Sequence, residues 1–163
     1  MRIVSESNQA STPSIRMGEM AVAVGAGELR TLVGSCVGLA LHDRKRKVGG
    51  IAHIVLPESP DQVELPGKYV DTAIPALLAA MSKAVAEEVQ PVAKIAGGAS
   101  MFATTITRNI GEENVAATER WLKKLGIPIL AKDCGGEKGR RMSLDVRTGN
   151  VLIEIAGRAP LVL

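Results

Sequence analysis

Between residues 20 and 57 the chain is cut into short apolar runs: MAVAV (20–24), LRTLV (29–33), VGLALH (37–42) and GIAHIVLP (50–57). Runs of four to eight residues rich in Val, Ile and Leu and bounded by Gly have the length and punctuation of β-strands. A chain whose first third reads this way is not a helical bundle. Helical length and Ala/Leu/Met content come only afterwards, over 69–89, where Pro75 is tolerable only in the first turn. A second helix fits 112–125, with Val115, Trp121, Leu122 and Leu125 as its apolar stripe and Gly126 as a left-handed stop. Residues 92–98 and 127–133 read as further strands, and 141–155 as a hairpin turning at 148–150. Residues 58–67 hold two prolines and read as a loop, and polar residues 1–14 as a loose tail. The expectation is one domain over 15–163: a layered α/β fold with mixed, largely antiparallel sheets and two main helices.

Composition narrows the function. One Trp, one Tyr and one Phe in 163 residues leave Val, Ile, Leu, Ala and Met to build the core. The same shortage removes the stacking platforms that single-stranded nucleic acids require, so no nucleic-acid partner is expected. The net charge of +3 is mild, and much of the basic excess sits in residues 44–47 and 138–141. Both clusters read as solvated turns, able at most to steer an acidic partner. No run of 18 apolar residues occurs and the N-terminus carries no signal-peptide pattern, so the chain reads as cytoplasmic, without membrane insertion.

Familiar site motifs fail. GAGELR (25–30) has Arg30 where a dinucleotide fingerprint needs its third Gly, and GGEKGR (135–140) lacks the P-loop spacing and hydroxyl. Two histidines, His42 and His53, and two cysteines, Cys36 and Cys134, form no ligand cluster, so neither metal nor cofactor is expected. His42 beside the basic turn reads as exposed, and Cys134 as a structural or free thiol.

One stretch remains, GSCVGLALHDRKRKVGGIAHIVLP (34–57), which reads as strand, polar turn, strand. A tight turn with Arg44 and Lys45 at its tip sets Cys36 directly opposite His53 on one sheet face. A one-residue slip would send the two to opposite faces. A thiol beside an imidazole is what nucleophilic thiolate chemistry needs, because the imidazole takes the proton and later returns it to a leaving group. Gly34 and Ser35 would let the backbone turn and present the Cys36 N–H as an oxyanion donor. The plain alternative is a buried core cysteine and a hydrogen-bonded core histidine. Thr31 and Ser35 are each near enough to orient the histidine, or simply to bond local backbone.

LVGSCVGLALHD (32–43), VGGIAHIVLPES (48–59), PGKYVDTAIPALL (66–78), KIAGGASMF (94–102), NIGEENVAATERWLKKLGI (109–127) and DCGGEKGRRMSLDVRTGNV (133–151) together resemble the chemoreceptor glutamine deamidase family, CheD. The resemblance implies a single-domain layered α/β/β sandwich and hydrolysis of glutamine side-chain amides on methyl-accepting chemotaxis receptors, without a cofactor. It implies Cys36 as nucleophile and His53 as general base and acid. Its third residue, a Thr before the GSC element, falls on Thr31, one residue closer to the cysteine than the family pattern, with Arg30 in that place. Ser35 is the substitute, and Ser35 and Gly34 would support the oxyanion. The resemblance also implies a possible partner, a CheC-type phosphatase. A regulatory binding module with weak catalysis is then the second reading, favoured by the displaced Thr. A third is another cysteine hydrolase, a receptor methylesterase or protease, because acyl transfer serves each leaving group. Met101 and Phe102 either pack in the core or line a substrate groove.

Overall fold

The computed structural model describes residues 2–4, 14–101 and 109–163. Strands β1 (Arg2–Val4), β2 (Met20–Val24), β4 (Val37–Asp43), β5 (Val48–Ile54), β6 (Val92–Gly97) and β7 (Ile129–Cys134) form one mixed sheet in the order β1-β2-β5-β4-β6-β7. A second sheet, wholly antiparallel, runs β10-β9-β8-β3, from Leu161–Val162, Val151–Glu154, Arg140–Asp145 and Glu28–Val33. Helices α1 (Val70–Val85) and α2 (Ile110–Lys124) cover the outer face of the six-stranded sheet. The result is the helix/sheet/sheet sandwich that the sequence leads one to expect.

Alternation along each strand assigns the faces. Val37, Leu39, Leu41, Val48, Ala52 and Ile54 point toward the helices. There they meet Val70, Ala73, Ile74, Leu77 and Met81, the buried stripe of α1 at helical spacing. Complete burial of Ile74, Leu77 and Met81 contributes about 1.5–3 kcal/mol each. The opposite face of the six-stranded sheet carries Ala21, Ala23, Gly38, Ala40, Gly49 and Ala96. These small residues receive Leu29, Met142, Leu144, Val151 and Ile153 from the second sheet. Interdigitation of large against small replaces the missing aromatics.

Several details differ from the expectations. Arg2–Val4, within the segment expected to be a loose tail, pairs parallel with β2, adding a β-branched edge strand. Pro75 is the sixth residue of α1, past the first turn, where packing of the stripe offsets its missing N–H. Of the expected stripe of α2, Leu122 is buried and Val115 and Trp121 pack half-buried against the core, but Leu125 is 41% exposed, because the fully buried line runs through Gly111, Asn114, Ala117, Thr118 and Leu122. His42 is buried: its Nε2 lies 2.9 Å from the Val146 carbonyl and its ring sits under Gly149. Arg140, expected in a solvated cluster, is only 3% exposed and donates to the carbonyls of Asp133, Gly135 and Lys138. Residues 44–47 do form a turn at the surface.

That turn sets the register. Asp43 accepts the Arg46 N–H at 3.1 Å and the Arg46 guanidinium at 3.0 Å, and Lys47 takes a left-handed φ of 51°. The loop is therefore four residues long, with Asp43 opposite Val48 and Gly38 opposite His53. Cys36 is not directly across from His53, as a tip at residues 44 and 45 would require. The tip is displaced by one residue and the register by two, so the face on which each side chain lies is unchanged.

Candidate active site

Cys36 lies in the bend between β3 and β4, and His53 near the end of β5. Cys36 immediately precedes β4, whose first two residues, Val37 and Gly38, pair with Ile54 and His53. Thr31 comes from β3, in the facing sheet. Thr31, Cys36 and His53 are all buried, at 1%, 8% and 4% exposure. Gly38, directly opposite His53, is what lets Thr31 in: a Cβ there would lie 3.3 Å from Thr31 Cγ2 and 2.7 Å from Met142 Sδ.

The hydrogen bonds fix the histidine tautomer. Thr31 Oγ1 donates its one proton to the Ile15 carbonyl at 2.7 Å. It must then accept from His53, whose Nδ1 lies 2.8 Å away, so Nδ1 carries the ring proton. Ile15 is itself held by a bond from its N–H to the Arg30 carbonyl at 2.8 Å. Nε2 is consequently an unprotonated nitrogen, buried and, among the described residues, without a hydrogen-bond partner. The His53 backbone is fixed as well: its N–H donates to the Glu19 carbonyl at 3.0 Å and its carbonyl accepts from Gly18 at 2.9 Å.

Burial sets the charges. It lowers the His53 pKa below its usual range, outweighing the contact of its ring N–H with the Ile15 carbonyl and the Glu19 carboxylate, and it raises that of the Cys36 thiol. Both shifts favour the uncharged forms, the thiol and the neutral imidazole.

The bend around Cys36 is held through its carbonyls. Ala99 N–H donates to the Gly34 carbonyl at 2.9 Å and Gly98 N–H to the Cys36 carbonyl at 2.8 Å. Gly97 must be glycine: its φ is 111° and a Cβ would lie 2.2 Å from the Cys36 carbonyl oxygen. The Ser35 carbonyl accepts from Asn114 Nδ2 at 3.2 Å. Among the described residues Thr31, and not Ser35, bonds the His53 ring. Met101 lies over Gly34, its Sδ 3.2 Å from where a Cβ would stand, and is 45% exposed. Phe102, the other expected groove residue, lies outside the described residues.

Cys134 is elsewhere, at the end of β7, a free thiol whose pKa burial pushes up to about 11. Among the described residues no cluster of three His, Cys, Asp or Glu side chains could hold a metal ion. No described helix is long and apolar enough to cross a membrane. Sequence reasoning missed Ile15 and Asn114. Nothing in the sequence marks the backbone carbonyl of Ile15, but Asn114 had a signal, being an amide on the buried stripe of a helix.

The family model for CheD chemotactic sensory transduction matches residues 55–155. The chain is 45% identical over 141 residues to the probable chemoreceptor glutamine deamidase CheD of Methanococcus vannielii, covering 85% of this chain and 92% of the relative. It is 42% identical over 144 residues to the chemoreceptor glutamine deamidase CheD of Thermotoga maritima, covering 88% and 91%. A probable chemoreceptor glutamine deamidase CheD of Clostridium botulinum is 45% identical over 130 residues, 77% and 80% of the two chains. The family model begins just past His53, but a match to 85% of the chain necessarily includes residues 31–53. With near full-length similarity of this degree, the chain belongs to the CheD family.

Proposed function

We propose that this protein hydrolyses the side-chain amides of glutamines on chemotaxis receptors, giving glutamate and ammonia. The observation that carries the mechanism is the chain Ile15 carbonyl, Thr31 hydroxyl, His53 Nδ1–H. It leaves Nε2 as a lone-pair base on the strand that pairs with β4, into which Cys36 leads. The names of the relatives supply the substrate class.

His53 Nε2 takes the Cys36 proton as Sγ bonds to the glutamine carbonyl carbon. The N–H of Cys36, and that of Ser35 beside it, receive the developing oxyanion. The tetrahedral adduct collapses with loss of its C–N bond, and the Nε2 proton leaves with the nitrogen as ammonia. Water then attacks the thioester and gives a proton to Nε2. The C–S bond breaks, glutamate forms, and the proton returns to the thiolate. The imidazolium formed twice in this cycle is stabilised by its Nδ1–H bond to Thr31. Gly34 keeps the bend tight beneath Met101.

The surroundings suit a protein substrate. Met101, 45% exposed, packs over Gly34 beside Cys36 and offers an apolar contact to an incoming segment. Thr31 reaches His53 despite its displaced position, which removes the feature that favoured a mainly regulatory module. Receptor glutamines of this kind face the cytoplasm, where two unpaired cysteines are at home.

The test is incubation with a cytoplasmic chemoreceptor fragment and peptide mass spectrometry, comparing wild type with Cys36→Ala. Glutamine-to-glutamate conversion by wild type alone is the expected result. Conversion retained in the variant refutes the cysteine mechanism, and no conversion by wild type refutes the assigned substrate.

A further inference from the structure

Asn114 sits in the second turn of α2, completely buried, on the side of the six-stranded sheet away from Thr31. Its Nδ2 donates two hydrogen bonds, to the Ser35 carbonyl at 3.2 Å and the Val55 carbonyl at 2.9 Å. The first acceptor immediately precedes Cys36 and the second lies two residues past His53. Its Oδ1 is buried and has no partner among the described residues. The amide orientation is nonetheless unambiguous, because a flip would press Oδ1 against two carbonyl oxygens. A buried amide that leaves its own acceptor unsatisfied is serving the two carbonyls.

The consequence follows from peptide geometry. In a trans peptide the C=O of one residue and the N–H of the next point in opposite directions. Holding the Ser35 carbonyl toward α2 therefore directs the Cys36 N–H away from the helix layer. That is toward the sheet face carrying His53 and Thr31. Ala99 does the same for the preceding peptide by binding the Gly34 carbonyl. Ala99 is a backbone donor that no side-chain change removes, whereas Asn114 is a side chain.

We infer that Asn114 is a positioning residue: it fixes the Ser35–Cys36 peptide plane so that the Cys36 N–H meets the oxyanion, and ties that plane to the His53 strand through Val55. This rests on the cysteine mechanism proposed above, though not on the identity of its substrate. Thiol and imidazole reactivity stay as they were when Asn114 is removed. What is lost is stabilisation of the tetrahedral oxyanion.

Two reactions at Cys36 separate these effects, each read by peptide mass spectrometry at that residue so that Cys134 does not interfere. Acylation by p-nitrophenyl acetate passes through an oxyanion; alkylation by iodoacetamide does not. Asn114→Ala is expected to slow acylation about tenfold or more while alkylation stays within about threefold, since a single misdirected oxyanion donor costs up to about 100- to 1000-fold. Asn114→Asp preserves volume, and its buried carboxyl, protonated by desolvation, supplies one donor. Its acylation rate is expected to fall between wild type and Asn114→Ala, which keeps the comparison available if the alanine variant unfolds. Equal acylation in wild type and Asn114→Asp, or acylation and alkylation falling in parallel, overturns the inference. So does a wild type unreactive at Cys36 toward both reagents. A wild type that shows the acylation effect yet leaves receptor glutamines untouched sinks the substrate assignment and leaves Asn114's role standing.

Discussion

Replacing Thr31 by valine removes the hydroxyl, keeps the shape of the side chain, and suits a strand. Two short hydrogen bonds disappear with it, the 2.7 Å bond to Ile15 and the 2.8 Å bond from His53. His53 Nδ1–H and the Ile15 carbonyl are left facing each other at 3.4 Å, beyond the usual 2.7–3.2 Å range for N–H···O bonds. Two buried groups with a weakened partner cost about 1–3 kcal/mol of folding stability. The kinetic loss comes from the imidazolium, whose hydrogen bond to a neutral acceptor is worth about 1.5–3 kcal/mol, or roughly 10- to 150-fold in rate. The residual Ile15 contact still holds the proton on Nδ1, so the loss stays short of the approximately 10⁴-fold that follows when an imidazole is held in the wrong tautomer. Thr31→Ser, which retains the hydroxyl, should stay within about threefold of wild type. The assay is the rate of glutamine-to-glutamate conversion by mass spectrometry, with urea denaturation to follow stability. Wild-type activity in Thr31→Val, or equal losses in the valine and serine variants, would refute the reasoning.

Gly38→Ala should destabilise the fold by about 1–3 kcal/mol in urea denaturation, because the new Cβ would stand 2.7 Å from the buried Met142 Sδ. It should also lower activity, because Thr31 Cγ2 is pushed from 3.3 Å; unchanged activity would show that Thr31 need not be so close to His53. For His53, the folded pKa lies below the reference 6.5, so the unfolded chain binds the proton more readily. Stability from this group is complete above pH 6.5 and falls as pH drops through the lowered folded pKa, so the urea midpoint should decline on acidification and less steeply in His53→Gln. Cys134→Ser should leave deamidation within about twofold, since that thiol neighbours Ile95 and Arg140 and no imidazole; a large loss would draw Cys134 into the mechanism.

The strands were legible because glycines punctuate them, and the faces because alternation has a period of two. The register was not, since a tight turn at residues 44 and 45 is the simplest reading of the basic tip and the loop is longer. Its signal was Asp43, whose carboxylate accepts the Arg46 N–H and stretches the loop to four residues. An error of two residues preserves the face of every paired residue, so His53 still stands beside the start of β4, which Cys36 precedes. Nearness to Cys36 offers Thr31 and Ser35 alike as the histidine's partner, and local sequence does not decide between them, because Thr31 reaches His53 from the other sheet. His42 and Arg140 were misread for the same reason: each is buried by acceptors from segments brought close by the fold, the Val146 carbonyl and the Asp133–Lys138 loop. Asn114 bonds carbonyls 79 and 59 positions away, a relation beyond any local pattern.

Thr31, His53 and Asn114 come from three different layers: the small sheet, the large sheet and the helices. A chain with its secondary structure formed but its layers undocked would hold a cysteine without oriented base or directed N–H. Hydrolytic capacity therefore arrives only with the last step of assembly. On the mechanism proposed above, a nascent or loosened molecule carries a thiol with neither an oriented base nor a directed N–H beside it. The same arrangement makes activity a more sensitive gauge of native packing than any spectroscopic measure of helix or strand content.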